Sequence, residues 1–308
     1  MKYPRGAAGT DLFLFIVFII ILGVVWAMTG GPERSVSRSG PFLSSPFEEG
    51  SLFTIPSVDI PGASTGGTSD GGVFGLAPTE EKSPYAEYVS LSISNARNDD
   101  ASREYVTIKT SNNLSGTLTI SDWRLESSVS KNSVTLGGAV QTPYYGQINT
   151  PSPVALSANT TVYVVSGRSP VGVSFRVNSC SGYFEQYQDF EPRLTLSCPF
   201  TSGELQRARQ KYSGYSPSPA CTSYVASMRQ CEIASAIQIP SNVEAECQNI
   251  ILNDFSYNGC ASSHQGDGDF YKNEWRLFLN RGTTLWASSK ERIRLLDESG
   301  RVIDVVSY

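Results

Sequence analysis

Glu104-Tyr-Val-Thr-Ile-Lys-Thr110 and, five residues further on, Gly116-Thr-Leu-Thr-Ile-Ser-Asp-Trp123 carry the pattern on which the fold turns. Side chains alternate across a strand, so Val106 and Ile108 share one face of the first run and Leu118 and Ile120 one face of the second. Ser111-Asn112-Asn113 between them is turn chemistry. The same texture extends outward. Upstream, Tyr88-Val-Ser-Leu-Ser-Ile-Ser94 sets Val89, Leu91 and Ile93 on one side. Downstream come short runs at Ser133–Leu136, Thr161–Val165 and Val171–Val177. Glu274–Leu279, Arg292–Leu296 and Arg301–Tyr308 close the chain, the last two joined by an Asp297-Glu-Ser-Gly300 turn. Many short alternating strands separated by turns predict a mainly β domain over residues 85–308, either a sandwich or a barrel.

Between residues 179 and 273 the alternation stops. Helices are expected at Leu205–Tyr212 and Ala245–Phe255, each opened by a candidate capping box (Thr201-Ser-Gly-Glu204 and Ser241-Asn-Val-Glu244), with a weaker candidate at Cys221–Cys231. All six cysteines, Cys180, Cys198, Cys221, Cys231, Cys247 and Cys260, fall in this block, and no two form a CxxC pair. Zinc sites use close pairs because one turn presents two thiolates to one ion. Wide even spacing reads instead as three disulfides in an oxidising compartment, with the pairing open. The block is expected to be an insertion with too small a core of its own, stapled by those bridges.

The N-terminus has a different character. After a short segment 1–11, Leu12-Phe-Leu-Phe-Ile-Val-Phe-Ile-Ile-Ile-Leu-Gly-Val-Val-Trp-Ala-Met28 carries no charge and predicts one transmembrane helix. A cleaved signal peptide is the rival, but Trp26-Ala27-Met28 is a poor small-x-small cleavage site. Residues 29–84, dominated by Gly, Ser and Pro, predict a disordered linker. Flanking charges lean only slightly toward a cytoplasmic N-terminus, and the cysteines decide the orientation: the domain is expected outside. The partner implied for Leu12 to Met28 is the membrane.

Composition excludes some functions. The 308 residues hold 24 Lys plus Arg against 29 Asp plus Glu, a net charge of −5, which argues against nucleic-acid binding. With a single histidine, His264, neither a His-based metal cage nor a two-histidine mechanism is available. Gly67-Thr-Ser69-Asp-Gly71 matches G-x-S-x-G but lies in the linker, without the strand and helix that a nucleophile elbow requires. The most site-like cluster is Gly259-Cys-Ala-Ser-Ser-His264-Gln-Gly-Asp267-Gly-Asp269. There His264, Asp267 and Asp269 are weak metal candidates, since Asp-x-Asp can aim two carboxylates at one cation. A polar loop returning to the Trp275 strand is the better account. Tyr183, Phe184, Tyr187 and Phe190, with Tyr144 and Tyr145, could stack on sugars or anchor a protein. They are read first as a lid packing the insertion onto the sheets. No catalytic residue, cofactor site or metal site is assigned.

Glu104-Tyr-Val-Thr-Ile-Lys followed by Leu118-Thr-Ile-Ser-Asp-Trp-Arg-Leu125 resembles the lamin tail domain family, whose opening strand is followed by one bearing a core tryptophan. Leu156-Ser-Ala-Asn-Thr-Thr-Val-Tyr-Val-Val165 is similar to its L-x-P-G segment, with Ala158-Asn159 in place of Pro-Gly. Leu285-Trp286, Ile293–Asp297 and Gly300–Asp304 resemble its closing hairpin. The resemblance covers residues 102–178 and 274–308 and implies an immunoglobulin-like β-sandwich. The whole arrangement looks like predicted bacterial surface proteins with one membrane helix, a tether and a lamin-tail domain. It implies a single-pass, non-catalytic binding or structural module at the cell surface, with a protein or glycan partner left unspecified. The alternative is an extracellular metal- or carboxylate-dependent hydrolase acting on cell-wall or other polymer.

Overall fold

A computed structural model of the chain describes residues 15–22, 24 and 81–308. Residues 15–22 and 24 are helical, with Phe15, Phe18 and Ile20 among their exposed apolar side chains. No helix among the described residues is long and apolar enough to cross a membrane. The expected span Leu12–Met28 lies only partly within them; segment 1–11 and residues 29–80 of the expected linker lie outside. Residues 81–84, assigned above to the linker, already pair with the C-terminal domain. Val302 N donates to Glu81 O (2.9 Å) and Ser83 N donates to Val302 O (2.8 Å).

Eight strands precede the cysteine block: β1 (Val89–Ser92), β2 (Tyr105–Thr110), β3 (Leu118–Thr119), β4 (Arg124–Ser127), β5 (Ser133–Thr135), β6 (Ala155–Leu156), β7 (Thr161–Val165) and β8 (Phe175–Asn178). Three follow it: β9 (Tyr271–Phe278), β10 (Arg292–Leu296) and β11 (Val302–Ser307). They form a five-stranded sheet in the order β1-β2-β7-β9-β8, a four-stranded sheet β11-β10-β4-β5, and the small pair β3-β6. All pairings are antiparallel except β7 with β9.

One apolar core is shared by these sheets, and it takes in the predicted inward positions Val89, Leu91, Val106, Ile108, Leu118 and Ile120. Val106, Ile108, Val162, Val164, Trp275 and Leu277 come from the five-stranded sheet, and Leu125, Ile293, Leu295 and Ile303 from the four-stranded one. The expected strand 116–123 is shorter than its alternation suggests. Asp122 takes φ +77°, which bends the chain and sets Trp123 between β3 and β4. Trp123 is fully buried, and its indole N–H donates to Glu298 Oε2 (3.0 Å).

Buried carboxylates pin the connections. Glu104 accepts from the backbone N–H groups of Leu285 (2.7 Å) and Trp286 (3.0 Å), and burial holds its carboxyl above the usual range. Glu291 accepts from Ser127 Oγ, Ala287 N and Arg292 N, joining β4 to the start of β10. Replacing Glu104 by Leu strands two buried donors, so the Glu104→Leu variant should lose about 2–4 kcal/mol of stability, read from its urea midpoint at unchanged m-value.

The cysteine block enters from β8 and leaves into β9, strands that pair directly with each other. It contains short 3-10 turns at Ser181–Gln186 and Ala236–Gln238 and four helices: α1 (Thr201–Lys211), α2 (Pro219–Ser227), α3 (Ala245–Asp254) and α4 (Tyr257–His264). Both expected capping boxes are absent. The N-cap positions fall on Phe200 and Glu244, with no side-chain cap bond, which leaves Glu204 and Glu244 for other partners. The weak candidate is α2, capped by Ser218 and ending before Cys231. Helix α4 was not expected, because its small and polar residues read as a loop; Ser256 caps it by accepting from Gly259 N (3.1 Å).

The core expected to be too small on its own is a compact one that includes a disulfide. Leu205, Val225, Met228, Ile239, Val243, Ile251 and Phe255 form a core within the block itself, with Cys221 and Cys247 in it. A second core, centred on Phe175, Val177, Tyr183, Phe184, Phe190, Tyr257 and Phe278, joins the block to the outer face of the five-stranded sheet. Successive β9 residues therefore serve opposite cores, which is why Trp275-Arg-Leu-Phe278 is buried throughout.

Candidate functional site

Helix α4 positions the residues that the sequence singles out. It packs so closely on α3 that a Cβ at Gly259 would lie 2.1 Å from Asn253 O, which only glycine avoids. Cys260 and His264 are four residues apart and share a face. The first forms a disulfide with Cys180, at the exit of β8. The second meets Glu204 of α1: His264 Nε2 is 2.6 Å from Glu204 Oε1, and its Nδ1 is 2.7 Å from Asp267 Oδ2. Arg207 completes the cluster by donating to Asp267 Oδ2 (3.0 Å) and Ser263 O (3.1 Å).

Two carboxylates facing the two ring nitrogens favour the doubly protonated imidazole, in which both nitrogens donate. The Glu204 hydrogen bond, and then that to Asp267, holds the histidine above its usual range against the opposing effect of burial. The bond from His264, aided by Arg207, holds Asp267 below its own. Such a ring has no lone pair to offer a metal. Asp269 is exposed, and its backbone carbonyl accepts from Lys272 Nζ. The three weak candidates, His264, Asp267 and Asp269, therefore do not converge as a set.

Among the described residues, potential ligand atoms come together at Cys221, Glu244 and Cys247, within 4.8 Å of one another. Those sulfurs are bonded to each other, at 2.01 Å, and are not thiolates. The Glu244 carboxylate is held by Ser218 N (3.0 Å) and Tyr215 Oη (3.2 Å). The third disulfide joins Cys198 to Cys231, so all six cysteines are paired.

The aromatic run divides in two. Tyr183, Phe184 and Phe190 are buried, and Phe184 stacks on Tyr257 with ring centres 4.0 Å apart. These rings pack the block on the sheet, the role expected of a lid. Tyr187 and Tyr145 remain 67% and 47% exposed. They line a hollow of about 280 Å³ at the seam, floored by Phe184 and Tyr257 and edged by Gln188, Ile233, Ser256 and Asn258. Its lining carries no formal charge.

Sequence reading missed two buried charges that organise this region. Glu204 lies on the same face as Leu205 and Ala208, and an acid on an apolar helical stripe was the available signal. Arg276 donates to Pro192 O, to Arg193 O (3.3 Å) and to Glu274, and lies over the Tyr163 ring (4.4 Å). It gave no separate signal, because it alternates with apolar neighbours as an exposed strand residue would. No family model matches this chain, and no curated protein matches its sequence.

Proposed function

We propose that this chain is a non-catalytic binding module, held on a membrane by residues 12–28, that presents a lamin-tail-like, immunoglobulin-type sandwich to envelope or extracellular partners. One observation carries the reading. The buried charged groups of the domain are spent on its own structure, whereas the uncharged aromatic hollow at the seam faces outward. His264 is closed between Glu204 and Asp267, Glu104 and Glu291 hold backbone donors, and Arg276 ties the block to the sheet. A ring whose two nitrogens are both engaged by carboxylates is poorly placed to take a proton from a substrate.

Two further features support the reading. Asn159 stands where the family pattern has glycine and takes φ +55°, the left-handed backbone that glycine supplies most readily. Three disulfides belong to oxidising compartments and so favour a domain outside the cytoplasm.

Protease added to intact cells should therefore release residues 81–308, and full protection of the domain would reverse the orientation. The full-length chain in phospholipid nanodiscs should be retained saturably on purified envelope material. Absence of retention would contradict a binding role.

A further inference from the structure

We infer that the hollow between Tyr145 and Tyr187 is a subsite for one neutral sugar ring of a glycan. The inference deepens the binding-module reading and rests on it. Three properties of the hollow select this ligand. At about 280 Å³ it lies just below the roughly 300 Å³ at which sites for drug-sized ligands begin, so it admits a single ring. None of its lining residues is Lys, Arg, Asp or Glu, so a phosphorylated or carboxylated ligand would meet no counter-charge. It combines exposed tyrosine rings with amide groups, and a pyranose matches both through its apolar C–H face and its rim of hydroxyls.

The walls are also set in advance. Asn258 Oδ1 accepts from Tyr145 N and its Nδ2 donates to Tyr145 O, both at 3.0 Å, so one side chain holds that residue's backbone from both ends. Tyr145 is braced further by its edge-on contact with Phe184, ring centres 5.5 Å apart. Across the hollow, Gln186 holds the Ile233 backbone by the same two-ended clamp (2.6 and 2.9 Å) and donates to Tyr187 Oη (2.9 Å). An amide has four hydrogen-bonding positions, so Gln188 and Asn258 keep spare donors and acceptors for ring hydroxyls. Walls fixed before binding lower the ordering cost, which matters for a ligand this small.

The test is calorimetric titration of the full-length chain in phospholipid nanodiscs with cellobiose, diacetylchitobiose and maltose, and with glucuronic acid as a charged control. Saturable binding of at least one neutral disaccharide is expected, and none of glucuronic acid. Tyr187→Ala should weaken binding at least roughly tenfold, whereas Tyr187→Phe, which keeps the ring, should stay within about threefold. Because Tyr187 is mostly exposed, its truncation should leave the melting temperature unchanged, so a loss of binding reads on the site. No heat with any neutral disaccharide, or equal affinity in the Tyr187→Ala variant, would overturn the inference. If the sugars are silent while retention on envelope material persists and depends on Tyr187, the hollow receives a protein side chain; the sugar subsite is then wrong and the binding reading stands. If retention is absent as well, both fail.

Discussion

Reduction of the three disulfides should release α1, α2 and α3 while the two sheets keep their protection from hydrogen exchange. The bridges Cys180–Cys260, Cys198–Cys231 and Cys221–Cys247 span 80, 33 and 26 residues. In the chain-entropy account, loops of those lengths restrict the unfolded chain by about 4.5, 3.7 and 3.5 kcal/mol when each closes alone. Helices of 8 to 11 residues are marginal without such support. The sheets draw their core from residues on both sides of the block and contain no bridge. Two parts of the block should hold longer than its helices: Tyr183–Phe190 and Tyr257–Phe270 contribute side chains to the core against Phe175 and Phe278. Exchange measured with and without reductant should show acceleration first across residues 200–255. Equal acceleration in β2 and β7 would mean that the block is inseparable from the sheets.

His264→Ala should destabilise the block by about 3–5 kcal/mol, because it leaves Glu204 buried without its cation. The double variant Glu204→Leu/His264→Leu should recover most of that loss, since a buried ion pair is often replaceable by apolar side chains of similar volume. The pH dependence follows from the directions of the shifts. His264 has a folded value above its unfolded 6.5, so its contribution is complete below that pH and disappears as pH rises through the folded value. Asp267 is shifted down from 3.8, so its contribution is present above that pH and is lost as pH falls through the folded value. The cluster is therefore most stabilising between about pH 4 and 6.5. Denaturant titrations of wild type and His264→Ala across pH 4–9 should converge toward the alkaline end. A constant gap over that range would mean that the histidine acts through packing alone.

Much of the sheet structure was legible because strand alternation is local. Val106, Ile108, Leu118 and Ile120 fall on the buried side where their spacing puts them, and the runs at Thr161–Val165 and Arg292–Leu296 match β7 and β10 residue for residue. Tertiary effects escaped it. Helix α4 is invisible to periodicity because Gly259, Ala261, Ser262 and Ser263 are small or polar; the close approach of α3 and the Cys180–Cys260 bridge hold it in place. Glu204 and Glu244 imitate capping residues at the level of spacing, yet their partners, His264 and Ser218, lie far away in sequence. Of the candidate site, the tyrosines were visible. The seam that sorts Tyr187 from Phe184 exists only once the block is laid on the sheet.

Binding without turnover is the account's central claim, and one measurement addresses both halves of it. Purified envelope polymer is incubated with the full-length chain, the bound fraction is determined by cosedimentation, and the polymer is then examined by mass spectrometry for released fragments. The account predicts saturable cosedimentation with the polymer's mass distribution unchanged over long incubation. Fragments that accumulate with time and protein concentration would contradict it and make the chain a hydrolase.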